Sequence, residues 1–248
     1  MTTVYLAWGV PAHETLVRHA ADAPVDLLVS AMVMPEFLKR KRDYNIRRWC
    51  MDSGAFSVQN SSAKMPYEVW RDAAIAAKAE GAYEIFGLDV IWDAVATRVN
   101  CERAWQEGID AIPTFHWRSP WSELVALGKQ CRKVALGGVA LKSCGMKIDW
   151  YKQVFARVWP KRFHAFGAAS QQVLNAMPFD SGDASSWCTA PRRFSSWCGL
   201  SGRQIKLYGI QYRDLWMEVV EHQRRAAWAR AKWRAAFQAI EEAERSAA

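Results

Sequence analysis

The sequence predicts an α/β protein of the TIM (β/α)8-barrel type, a single domain over residues 1–248 with a long basic C-terminal helix. Three observations carry this. Short apolar runs of strand length alternate with amphipathic stretches of helical length, joined by short connections, which is the pattern of parallel βαβ units. The 248 residues match the usual size of such a barrel. The rival, a doubly wound open sheet, lacks its signature, because no Gly-x-Gly-x-x-Gly opens any helical stretch.

Taken in order, strands are expected at Val4–Trp8, Asp26–Met32, Arg48–Asp52, Tyr83–Val90, Ala111–His116, Lys133–Gly138, Phe163–Gly167 and Ile205–Tyr208, each a short apolar run. Between them, Pro66–Gly81, Ala94–Gly108, Pro120–Cys131 and Trp150–Trp159 read as amphipathic helices. From Gln211 to Ser246 there is no Gly or Pro, and Ala, Arg, Glu, Gln and Trp dominate, which favours one long helix. Leu215, Val219, His222, Ala226 and Trp233 fall near one face of it, so part of this helix is expected to dock on the barrel.

Composition narrows the classes. Half of the residues are apolar (51%), enough for one substantial core, and the balance is neither collagen-like nor that of a disordered chain. No uninterrupted apolar run approaches the roughly 20 residues of a membrane span, and the start MTTVYLAWGVPAHE lacks the features of a signal peptide. A soluble cytoplasmic protein without a membrane partner is expected. Six cysteines (Cys50, Cys101, Cys131, Cys144, Cys188, Cys198) are scattered without a Cys-x-x-Cys pair. They read as reduced structural thiols, and no metal and no cofactor is expected.

The 33 Lys and Arg outnumber the 25 Asp and Glu by eight, and the excess is clustered. Phe37–Arg48 holds Lys39, Arg40, Lys41, Arg42, Arg47 and Arg48 against the lone acid Asp43. Arg224, Arg225, Arg230, Lys232 and Arg234 lie near the other end, punctuated by Trp228 and Trp233. Such groups bind phosphates and stack on exposed bases, so Lys39, Arg40, Lys41, Arg42, Arg224, Arg225 and Arg230 are candidate nucleic-acid contacts. A solvated helix face is the alternative for each cluster alone.

In a TIM barrel the active site lies at the C-terminal ends of the strands. The expected ends carry Asp52-Ser53-Gly54-Ala55-Phe56-Ser57, Gly87-Leu88-Asp89-Val90, Phe115-His116, Leu136-Gly137-Gly138, His164-Ala165-Phe166-Gly167 and Phe179-Asp180-Ser181-Gly182-Asp183. A single aspartate there would be a helix cap more often than a catalyst; several from separate strands point to a site. A carboxylate can attack an acetal-like carbon such as C1′ of a nucleoside to form a covalent glycosyl-enzyme. Phe56 and Phe166 could sandwich a flat heterocycle. A metal-dependent hydrolase is disfavoured, since only His116 and His164 are suitably placed. Asp93 and Asp180 read as caps or loop carboxylates, although the family resemblance described next also makes Asp180 a second candidate nucleophile. His164 and Phe166 could equally fill the barrel.

Met51-Asp52-Ser53-Gly54-Ala55-Phe56-Ser57 resembles the DSGGFQ segment of the tRNA-guanine transglycosylase superfamily. LDV at Leu88–Val90, LGGV at Leu136–Val139, HAFGAAS at His164–Ser170 and FDSGDASSW at Phe179–Trp187 follow in the same order. The last two are closer to the phage branch, the DeoxyPurine-in-DNA protein A type of DNA-guanine transglycosylase. The resemblance implies a pentosyltransferase that exchanges guanine in DNA for a free 7-deazaguanine base such as preQ0. Asp183 would be the nucleophile and Asp52 the general acid/base. Asp89 would accept hydrogen bonds from the base, with Ser53, Phe56, His116, Gly137, Gly138, Phe166 and Gly167 around it. Two departures stand out. Where the tRNA-modifying members have a Gln reaching the base carbonyl, His116 is the nearest candidate here, and the CxCxxC zinc motif of the tRNA enzymes does not follow Trp187. A homodimer is compatible with this reading. A tRNA-directed exchange enzyme, a carboxylate nucleosidase and a non-catalytic DNA-binding module are the alternatives.

Overall fold

The computed structural model describes residues 2–9, 12–59, 64–139, 142–184, 187 and 215–247. Its strands are β1 Thr3–Ala7, β2 Val25–Ser30, β3 Ile46–Asp52, β4 Glu84–Phe86, β5 Ala111–Ile112, β6 Thr114–His116, β7 Lys133–Gly137, β8 Arg162–Ala165 and β9 Ser181–Ala184. All pairings are parallel, in the order β5-β4-β3-β2-β1-β9-β8-β7-β6. The two edge strands are halves of the single expected run Ala111–His116, split at Pro113, which has no N–H to give to a ladder. On one side the Ile112 carbonyl accepts from Gly87 N (2.9 Å); on the other the Pro113 carbonyl accepts from Ala135 N (2.8 Å). The run thus joins both ends of the sheet. Counted this way there are eight staves, and the barrel is all but closed.

Between the strands lie α1 His13–Arg18, α2 Met34–Arg40, α3 Ala55–Gln59, α4 Tyr67–Ala79, α5 Ala94–Gln106, α6 Trp121–Gln130, α7 Cys144–Val158 and α8 Gln171–Ala176. Several carry the caps their sequences announce. Asp93 accepts from Ala96 N (2.9 Å) at the start of α5, Ser143 opens α7 and Ser170 opens α8. Asp93 is therefore a cap.

Side chains alternate along the strands. Val4 and Leu6, Leu27 and Val29, Trp49 and Met51, Val134 and Leu136 face the helices in two large apolar clusters. Tyr5, Leu28, Cys50, Phe86 and Ala135 form a separate cluster inside the barrel. Below it, at the N-terminal end, the barrel is plugged by charge. Buried Lys133 at the start of β7 lies 2.8 Å from both Glu84 Oε atoms and 2.8 Å from Asp180 Oδ2. Arg162 at the start of β8 donates to Asp180 Oδ1 (2.8 Å) and Glu244 Oε1 (2.7 Å). Burial alone would raise the Asp180 carboxyl, but Lys133 and Arg162 reverse this and hold it well below the usual carboxylate range.

Three expectations are corrected. The eighth stave is Ser181–Ala184, which pairs with β1 and β8; its sequence, SGDA, has little strand propensity. Ile205–Tyr208 lies outside the described residues, as do Cys188 and Cys198. Asp180 precedes this strand, at the barrel floor, so it is an ion-paired structural carboxylate and not a second nucleophile. The C-terminal helix is two helices, α9 Leu215–Lys232 and α10 Arg234–Ala247, joined at Trp233. Val219, His222 and Ala226 are buried as their spacing predicts. Gln223 bonds to the Pro24 carbonyl (3.0 Å), Lys232 to the Asn175 carbonyl (2.7 Å) and Glu244 to Arg162. These partners lie at strand starts and helix ends, so α9 and α10 brace the floor. Among the described residues no helix is long and apolar enough to cross a membrane.

Candidate active site

At the opposite end, the register of the staves brings three aspartates together. Asp52 ends β3, Asp183 lies in β9 level with Tyr5, and Asp89 follows β4 by three residues. Each has a different environment. The Asp183 carboxylate accepts from Gly167 N (2.7 Å), with His164 Nε2 at 3.5 Å from the same oxygen. His164 is buried, its Nδ1 2.9 Å from Ser181 Oγ, and burial lowers its pKa. Asp89 is held on both oxygens, by a short contact from Ser53 Oγ and by His116 Nε2 at 2.7 Å. His116 Nδ1 is buried without a partner in the described structure. Asp52 accepts a long hydrogen bond from Gly54 N (3.3 Å) and interacts with the Ser53 backbone.

The consequence falls on Asp52. Burial, then the charges of Asp89 and Asp183, push its carboxyl up to about 7. A group that titrates near neutrality can give and take a proton. Linkage turns this into a stability effect. A carboxyl whose folded pKa is raised disfavours folding increasingly as pH climbs from about 4 toward 7, after which the penalty is constant. Asp52→Asn is therefore expected to stabilise the fold at pH 8, on the order of 2 kcal/mol after discounting for water at the mouth, with no gain at pH 4. Paired thermal melts at both pH values check it; equal gains at both would refute the coupling.

Glycines admit this geometry. Gly54 has φ +84°, and a Cβ there would come within 2.9 Å of Ser30 Oγ. A Cβ on Gly137 would lie 2.9 Å from His116 Cδ2, so the ring that meets Asp89 can pack against β7 only because Gly137 has no side chain.

The structure thus gathers Asp52, Ser53, Asp89, His116, Gly137, Gly138, Phe166, Gly167 and Asp183 at one mouth. Phe166 is half-buried, edge-on to Phe86 (5.0 Å) and His164 (4.6 Å), so it both fills the barrel and faces the site. Phe56 is 52% exposed at the start of α3. Gly167, expected around the base, donates its N–H to Asp183. The sequence did not single out Ser30 or Lys147, whose Nζ lies 3.4 Å from the Gly167 carbonyl. Lys147 lies one turn into a helix, outside the strand-end segments that directed attention.

The basic clusters are elsewhere. Lys41 bonds the Glu80 carbonyl and carboxylate (both 2.7 Å), just before β4 begins. Arg40 and Lys39 pair with Glu36 (2.7 and 3.8 Å), and Arg225 pairs with Glu221 (3.0 Å). Arg230 donates to the Thr2 carbonyl (3.0 Å). Arg42 and Arg224 are exposed on the same segments. All seven lie toward the barrel floor: Lys39, Arg40, Lys41 and Arg42 at or just past the end of α2, which runs back from the mouth, and Arg224, Arg225 and Arg230 on α9, which contacts Pro24, Thr2 and Asn175 there. They do not line the mouth, which corrects the expectation that they hold nucleic acid beside it. Among the described residues no group of three or more His, Cys, Asp or Glu could hold a metal ion. The chain matches no protein-family model and no curated protein.

Proposed function

We propose that the chain is a DNA-guanine transglycosylase, which replaces guanine in DNA by a 7-deazaguanine base through a covalent aspartyl-glycosyl intermediate. The observation that carries the reading is the set of three mouth carboxylates in three distinct environments: one held by an amide, one held by Ser53 and His116, and one with its pKa near 7. In this mechanism Asp183 attacks C1′. The C1′–N9 bond breaks, its electron pair leaves with guanine, and protonated Asp52 supplies the proton the purine takes up. Asp89 accepts from the N1–H and amino group of the base. In the second half the incoming deazaguanine gives its N9 proton to Asp52 and attacks C1′, and the C1′–O bond to Asp183 breaks. Atoms and charge balance, and the enzyme returns to its starting state.

Short motifs in family order support the same reading, and FDSGDASSW favours the DNA-acting branch. The test is mass spectrometry of nucleosides from DNA and, in parallel, tRNA incubated with the protein and preQ0. Deazaguanine nucleoside is expected in the DNA arm. Incorporation confined to tRNA would change the polymer, and release of free guanine without incorporation would make the protein a nucleosidase.

A further inference from the structure

Among the described residues only Trp92 and Arg118 are non-glycines with positive φ, at 73° and 74°. A bulky side chain in the left-handed region costs stability and persists where the surroundings impose it, commonly at functional sites. Both lie on the mouth. Trp92 sits three residues after Asp89, in the turn closed by Asp93 N to the Val90 carbonyl (2.9 Å). Arg118 sits two residues after His116, in the turn closed by Ser119 N to the His116 carbonyl (3.0 Å). Their staves are neighbours, and Ala94 and Ser119 beside them line one cleft between α5 and α6. The two loops that deliver the bonded pair Asp89 and His116 therefore each carry one strained, outward residue.

The Trp92 side chain is 55% exposed and Arg118 is exposed too. Lys142, on the next loop, holds its Nζ 5.8 Å from the Trp117 ring, adding a second cation to this rim. With the basic clusters at the floor, these are cations at the edge of the site itself. We propose that Trp92 and Arg118 form a docking rim for the single strand that flanks the reacting nucleotide, Trp92 stacking on an unpaired base and Arg118, with Lys142, taking its phosphates. This rests on the transglycosylase reading and extends it. A base that must leave its stack exposes its neighbours' faces, and an aromatic ring beside a guanidinium fits a base face and the adjoining phosphate.

The positive φ supplies a clean test, because glycine relieves the strain while removing the side chain. Full-length wild type, Trp92→Gly and Arg118→Gly would be titrated into a fluorescein-labelled single-stranded DNA oligonucleotide over a range of salt. Trp92→Gly is expected to weaken binding about tenfold with a thermal midpoint no lower than wild type. Arg118→Gly should also weaken binding and reduce the log–log salt slope by about 0.7. Wild-type affinity in both variants would overturn the rim. So would unchanged DNA binding with a shift in sedimentation for Trp92→Gly, which would make the ring a contact between protein copies. Rim-dependent binding without base exchange would leave the rim standing and remove the transglycosylase; base exchange with rim-independent binding would do the reverse.

Discussion

Asp183→Asn is expected to abolish base exchange, by a factor on the order of 10⁴ or more, and to leave the barrel folded. The substitution keeps the shape and an oxygen that can accept from Gly167 N, which in the native protein donates at 2.7 Å. What it removes is the proposed nucleophile. Wild-type protein, denatured to quench it during incubation with a guanine-containing oligonucleotide, should show an adduct of protein plus the strand lacking one guanine; the variant should show none. A second readout is electrostatic. Asp183 helps to raise the Asp52 carboxyl, so neutralising it should move the titration of Asp52 toward acid. Full exchange activity in the variant would eliminate Asp183 as nucleophile. An unshifted Asp52 would show that the two carboxylates are less closely coupled than their convergence implies.

The largest effect on stability is expected at the floor. Lys133 is 7% exposed and compensates Glu84 and Asp180 together. Lys133→Ala leaves Glu84 without its cation and Asp180 with Arg162 alone, and deleting one partner of a buried pair costs about 3–5 kcal/mol. The sign of the pH dependence follows from Asp180. Its pKa is depressed in the folded protein, so its stabilising contribution is present above the unfolded value near 4 and fades as pH falls. In the variant the same carboxyls protonate more readily. The gap between wild type and variant should therefore be widest near pH 7 and narrow in acid. Urea titrations at pH 7 and at about pH 2, where Asp180 begins to protonate, measure it; a loss under about 1 kcal/mol at pH 7, within the range of an exposed pair, would show that water reaches the floor and screens the plug.

Much of the architecture was readable along the chain. Seven staves lie within a few residues of their apolar runs, because a buried parallel strand must be apolar on both faces. Pro66 and Pro120 immediately precede α4 and α6, and Gly81 and Gly108 follow α4 and α5 closely. The eighth stave escaped for a physical reason. Ser181–Ala184 carries the inward Ser181 and Asp183 and the outward Gly182, whose missing Cβ leaves room against the Ala165 carbonyl at 3.2 Å. Its strand conformation is imposed by β1 and β8, not by its own residues. The basic clusters misled in the opposite direction. Charge can be counted from sequence, but its position on the barrel depends on the direction in which each helix runs.

The sequence by itself determined that this is an alternating α/β chain and that aspartates recur at the ends of its apolar runs, because periodicity and spacing are local properties. Only the tertiary structure decided that Asp52, Asp89 and Asp183 converge while Asp180 turns to the floor. One residue of register along a stave reverses the face, and three residues exchange one end of a short strand for the other. That choice separates a carboxylate near pKa 7 at the mouth from one well below the usual range beneath Lys133, and it resides in the pairing between staves.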